Sequence, residues 1–91
     1  MSQVAGSSSF DLNVYPNPAV GSTTVEVLSS NNEEMAIEVY DLEGRILIQK
    51  NMMAIEGLNQ VDLDVSTLKP GIYTIKAGSA LDTKLVKLIV Q

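Results

Sequence analysis

The sequence predicts an all-β fold built as two packed antiparallel sheets, and three observations carry that prediction. Apolar residues recur with a period of two in nearly every segment, the pattern of strands with one buried face. Turn residues interrupt these runs at strand-length intervals. Composition is the third: 45% of the 91 residues are apolar, yet with three Tyr, one Phe and no Trp the core must come from Val, Ile, Leu and Met.

The elements follow in order. Phe10 is the first residue placed to pack, so residues 1–10 are expected to be a flexible leader, linker or expression remnant, and residues 11–91 the domain. A first strand over 11–15 runs into Pro16-Asn17-Pro18, where two prolines fix φ, withhold donors and hold Tyr15 extended, and Asn17 can bond nearby backbone. That segment is expected to form a rigid corner at the strand end. Val25 and Val27 alternate with Thr24 and Glu26, giving a strand over 22–28 that ends at Ser29-Ser30-Asn31-Asn32. Ile37 and Val39 alternate with Glu38 and Tyr40 over 35–41, before the turn Asp41-Leu42-Glu43-Gly44. Ile46 to Ile48 are apolar on both parities and open a strand over 45–51. Asn51 to Glu56 is the one segment with room for a helical turn. Val61, Leu63 and Val65 alternate with Asp62 and Asp64 over 59–65; Lys69-Pro70-Gly71 then leads into 71–77, and Gly78 to Asp82 into 83–90. Seven short strands without a helix fit a seven-stranded immunoglobulin-like antiparallel β-sandwich. Met35, Met52 and Met53 are expected to fill gaps in its core.

Composition excludes most chemistry. Without Cys or His there is no thiolate, no disulfide, no imidazole base and no histidine-ligated zinc. Ser7-Ser8-Ser9 has no base to activate it, and no glycine-rich phosphate loop occurs. Asp62 and Asp64 share a strand face but alternate with apolar residues, the signature of a solvated surface rather than a calcium loop. No catalytic, cofactor-binding or metal-binding residues are assigned, and the chain is not expected to be an enzyme. A net charge of -5 argues against nucleic acid as a partner. No apolar run approaches the ~18 residues of a membrane-spanning helix. Charge is unevenly distributed: seven acids and no base through Gly44, then six bases and four acids, with Lys69, Lys76, Lys84 and Lys87 offering a weakly basic surface.

Four signals occur in one order: Tyr15-Pro16-Asn17-Pro18; Val39-Tyr40-Asp41-Leu42-Glu43-Gly44-Arg45; Leu68-Lys69-Pro70-Gly71-Ile72-Tyr73; and Lys84-Leu85-Val86-Lys87-Leu88. Together they closely resemble the type A C-terminal sorting domain of the type IX (Por) secretion system of Bacteroidetes, over residues 11–91. The resemblance implies a seven-stranded immunoglobulin-like sandwich that acts as a secretion signal for an N-terminal cargo domain. It implies as partners the outer-membrane components of the type IX translocon and a cysteine-protease-like sortase that removes the domain and attaches the cargo to lipopolysaccharide. The route would cross the periplasm and end at the cell surface or outside the cell, with the cut in or before the Met1 to Phe10 stretch.

A strand edge offers unpaired N–H and C=O groups that a partner can read. Residues 83–90 are apolar on both parities, which fits either an exposed edge or a strand buried within its sheet. Lys84, Leu85, Val86, Lys87 and Leu88, with Pro70, Gly71 and Tyr73, are expected to form the translocon recognition surface. Tyr15, Pro16, Asn17, Pro18, Asp41, Gly44 and Arg45 are expected to be structural, Gly44 and Gly71 at reversals where a Cβ would clash. Tyr73 is expected to anchor the core with its hydroxyl at the surface. An exposed last strand would also favour pairing with a second copy. The alternative function is an extracellular immunoglobulin-like binding or spacer module of a larger secreted protein.

Overall fold

The computed structural model describes residues 10–80 and 82–91 and contains seven strands: β1 (Phe10–Val20), β2 (Ser22–Ser29), β3 (Glu33–Tyr40), β4 (Ile46–Ala54), β5 (Gly57–Asp64), β6 (Gly71–Gly78) and β7 (Thr83–Val90). The period-two pattern sorts them into two layers. One sheet is β1-β2-β5 and the other β4-β3-β6-β7, and the end of β1 joins the two. Alternation sends Val25, Val27 and Leu63 of the first sheet inward against Ile37, Val39, Ile75 and Leu88 of the second, all with no solvent exposure. Polar partners of the same strands, such as Asp62 and Glu38, point outward. The expected β-sandwich is therefore the fold, with strand positions close to those read from the sequence.

Pairing is antiparallel except at one place. β1 pairs with β2 from Phe10 to Tyr15, leaves it, pairs in parallel with Val90 of β7 at Ala19, and meets β2 again at Val20 opposite Ser22. The expected corner at Pro16-Asn17-Pro18 is thus a passage between sheets, and β1 continues through it to Val20. Prolines are tolerated here because residues 16–18 have no backbone ladder to complete on either side. The Tyr15–Pro16 and Asn17–Pro18 peptide bonds are both cis.

The chain changes sheets again between β4 and β5. Residues 51–56, expected to have room for a helical turn, instead extend β4 to Ala54, with only Ile55 and Glu56 left to cross over. The Asn59 side chain ties this crossing down: its Oδ1 accepts from the Ile55 N–H (2.9 Å) and its Nδ2 donates to the Ile55 carbonyl (2.9 Å). Of the three methionines expected in the core, Met35 is buried and Met52 packs against the core, but Met53 is 60% exposed. Met53 pairs with Glu34 on the outward parity of β4, so the strand's pleat overrides its apolar character.

Thr23 and Ser29 are the buried polar side chains among the described residues, and both are satisfied: Thr23 donates to the Pro16 carbonyl (2.9 Å) and Ser29 to that of Asn31 (2.6 Å). The rest of the interior is apolar, mostly aliphatic with Phe10, Met35 and the Tyr73 ring, and Ile75 is packed among it. Ile75→Ala, at a site with no exposure, is expected to cost roughly 2–5 kcal/mol in urea unfolding with an unchanged m-value.

Candidate recognition surface

The four sequence signals lie far apart in the chain, but the first three and the Lys87 end of the fourth gather at one end of the sandwich, while Lys84 lies toward the other. Ala19 pairs with Val90, and Val90 pairs with Gly71, so the residues just after the first and last signals share one row with the third. The Asp41–Arg45 hairpin follows Tyr40, which pairs with Thr74, and projects from the same end.

Asn17 joins the first signal to the last. Its Nδ2 donates to the Lys87 carbonyl (2.7 Å) and its Oδ1 accepts from the Ile89 N–H (3.0 Å). A side-chain amide offers the same donor and acceptor as a peptide group, so Asn17 occupies the edge of β7 as a neighbouring strand would. The Gln91 N–H then donates to the Ala19 carbonyl (2.9 Å) and continues the seam. β7 is accordingly paired with β6 along its whole length and with β1 only at its end. Of the two readings left open for this strand, the structure shows a mixture. From Thr83 to Lys87 the far edge has no strand partner among the described residues.

The hairpin is rigid because one carboxylate organises it. Asp41 Oδ1 accepts from the Glu43 and Arg45 N–H groups (both 2.9 Å), and Oδ2 accepts from Arg45 Nε (2.7 Å). Arg45 Nη2 also donates to Glu43 Oε1 (2.6 Å). The Arg45 N–H, seconded by its guanidinium and the Glu43 N–H, holds the Asp41 carboxyl below the usual carboxylate range. Gly44 has φ of +84° with nothing near a virtual Cβ, so glycine is required there by backbone conformation and not by a clash. Gly71 has neither requirement: its φ is not positive and a Cβ would meet only ordinary contacts at 3.9 Å or more. The expected clash is therefore absent at both glycines.

Tyr73 is buried, and its hydroxyl donates to the Lys69 carbonyl, pinning the turn before β6 to the core. A tyrosine bonding back to the chain a few residues upstream is a device of immunoglobulin-type sandwiches as well. Between this turn and the hairpin lies an open cleft of about 520 Å³, lined by Leu42, Arg45, Leu47, Lys69, Gly71 and Ile72 among others. Sequence reasoning missed this cleft, because nothing in the spacing of the two segments says that their loops face each other.

The residues expected to form the recognition surface divide by parity and position. Leu88 and Tyr73 face the core and are buried, Val86 packs against it, and Lys84 shares their inward parity at the open side of the sandwich, its Nζ 5.9 Å from the Phe10 ring centroid. Leu85 and Lys87 point outward from the four-stranded sheet, Leu85 being 65% exposed. Pro70 and Gly71 sit beside Val90, whereas Lys84 pairs with Ala77 at the opposite end, six residues and roughly 20 Å along β7. Lys84 and Pro70-Gly71 are therefore not brought together. Nor do the four C-terminal lysines form one patch: Lys76 and Lys87 share the outer face, Lys84 is at the side and Lys69 in the end turn.

With this geometry in hand, the chain can be placed among known proteins. Residues 13–91 match the family model of the secretion system C-terminal sorting domain, and the chain belongs to that family. By that membership it is a C-terminal sorting signal of the type IX secretion system. Among solved structures it is similar to dimeric latent PorU from Porphyromonas gingivalis, with a TM-score of 0.73 and 19% identity over 96% of this chain and 10% of that one. It is also similar to part of a β-glucosidase from Listeria innocua, with a TM-score of 0.55 and 17% identity over 89% of this chain and 16% of that one. The chain thus spans about a tenth to a sixth of the length of these structures, and at such identity the likeness is one of fold. No curated protein matches it.

Two expected outcomes follow from the seam and the hairpin. Asn17→Ala should cost about 1–2 kcal/mol and accelerate amide exchange at Ile89, leaving the amides of β3 unchanged. Asp41 has a folded pKa below its unfolded value, so its contribution is full above the unfolded value near about 4 and is lost as pH falls through the folded one. Thermal melts of Asp41→Asn should therefore lie below wild type at neutral pH and converge with it in acid.

Proposed function

We propose that the domain is a passive address. It carries an N-terminal cargo from the periplasm through the type IX outer-membrane translocon, and a cysteine-protease-like sortase then removes it by cutting before the folded part of residues 11–91. The expected cut falls in or before residues 1–10, and residues 1–9 lie outside the described residues. The reading is supported above all by one observation: the first three signals shared with the family, and the Lys87 end of the fourth, are tied together at one rigid end of the sandwich. A signal read by a machine has to present a fixed surface in every cargo context, and the Asn17 seam, the Asp41 hairpin and the Tyr73 anchor supply that fixity without help from a neighbouring domain.

Within this reading the outward-pointing members of the last strand, Leu85 and Lys87, and the Pro70-Gly71 turn are the groups a receptor meets. Val86, Leu88 and Tyr73 hold them in place from the core side. Gly71 fits such a role: with no conformational need for glycine, a bare backbone there leaves room for a partner's chain to approach.

The full chain fused behind a fluorescent protein that bears an export signal peptide should appear outside a bacterium possessing this secretion system. The same fluorescent protein without the domain should stay in the periplasm. Surface immunolabelling and fractionation read the difference, and equal retention of both fusions would overturn the reading.

A further inference from the structure

The outer face of the four-stranded sheet is unlike the opposite face of the molecule. Pairing register lays Gln49, Glu38, Lys76 and Leu85 in one row, and Ile46, Tyr40, Thr74 and Lys87 in the next, with Ile72 beside Ile89 beyond them. Ile46, Ile72 and Leu85 are 50%, 46% and 65% exposed, and Leu42 at the hairpin tip is 79% exposed. A shallow groove of about 520 Å³ runs over this face between Leu42, Tyr40, Thr74, Lys76 and Leu85. These exposed apolar side chains outnumber the Leu28 and Leu58 pair on the opposite face, and lying next to a hairpin held rigid by its own carboxylate they are the makings of a protein contact.

Charge adds a direction. Neither Lys76 nor Lys87 takes part in an ion pair among the described residues, where Arg45 holds both such pairs. Lys76 sits 5.9 Å from the Tyr40 ring centroid, which fixes its stem across the apolar patch. The outer face of the β1-β2-β5 sheet is the reverse: Asp11, Glu26, Asp62 and Asp64 point out from it, and its strands contain no Lys or Arg. There the polar groups bond one another, Tyr15 to Glu26 (2.8 Å), Gln60 to Tyr15 (2.9 Å) and Thr24 to Asp62 (2.9 Å). The β1-β2-β5 face carries acids and no base from its own strands, with one exposed apolar pair, Leu28 beside Leu58; the other carries more exposed apolar side chains and sets Lys76 and Lys87 among them, with Glu38 beside Lys76.

We propose that the outer face around Tyr40, Ile72, Lys76, Leu85 and Lys87 is the docking face for a protein receptor of the secretion machinery, and that the receptor meets it with an apolar patch flanked by carboxylates opposite the two lysines. The inference rests on the reading of the domain as a sorting signal and specifies which surface is read. A protein suits the face better than an anionic bilayer does. Two lysines on a chain of net charge -5 make no polybasic patch, and Glu38 stands among them, its carboxylate accepting from Tyr40 and Gln49. Opposed carboxylates on a receptor would both attract this face and reject the acidic one, giving orientation as well as contact.

The test uses the full-chain fusion with two sets of substitutions. Leu85→Asp with Lys87→Glu alters the proposed face; Glu26→Lys with Asp62→Lys alters the other. Circular dichroism and thermal melts of each purified domain establish folding, and Leu85→Ser with Lys76→Glu serves as a milder pair should the first not fold. Export of the folded face variants is expected to fall about tenfold or more, with the acidic-face variants displayed as wild type. Normal display of folded face variants, or equal loss from both faces, would overturn the proposal. Binding of wild-type domain to vesicles of phosphatidylglycerol and phosphatidylcholine, abolished by the same face substitutions, would also overturn it by making lipid the occupant. Failure of the wild-type fusion itself to leave the cell would instead strike at the sorting reading.

Discussion

Strand β1 has to serve both sheets, and the sandwich is closed by the way it does so. Its first residues complete the β1-β2-β5 layer, while its last residues reach across to β7, the strand furthest from it in sequence. The transfer leaves three residues without backbone ladder partners, and the Asn17 amide makes good part of that loss by bonding the β7 backbone at Lys87 and Ile89. Thr23 makes good another part from inside, through the Pro16 carbonyl. Everything that distinguishes one end of the molecule is then referred to this seam, because Ala19, Val90 and Gly71 are successive neighbours across it.

The same end explains why widely separated sequence signals belong together. Asp41 fixes a hairpin on one side of a cleft and Tyr73 fixes a turn on the other, each with bonds that close locally. Neither device depends on a buried charge. The surface that results is held by bonds within the domain itself, so it can stay the same while whatever precedes it varies.

Much of this was legible in the sequence, for a simple physical reason. Strand parity is written directly in alternation, so Val25, Val27, Leu63 and Ile75 declare their inward faces without any knowledge of partners. Three things were not legible. Prolines at 16 and 18 look like a strand end because they interrupt a ladder, and only the tertiary arrangement reveals that no ladder exists there to interrupt. β4 runs on through Met52 and Met53 because Glu33 to Met35 opposite provide pairing partners, a long-range fact that overrides weak local preference. Lys84 and Lys87 look like one charged group in a short strand, yet three residues of pleat turn them to opposite sides. The family resemblance supplied the function that composition alone did not contain.

The position of β7 has a further consequence. It is the last of the domain's seven strands to be synthesised, and the last of them to emerge from any channel that passes the polypeptide N-terminus first, yet it lies inside the strand order, between β6 and β1. A nascent chain holding six strands has no row in which Ala19, Val90 and Gly71 meet. The shape presented at that end therefore comes into being only once β7 is available to pair.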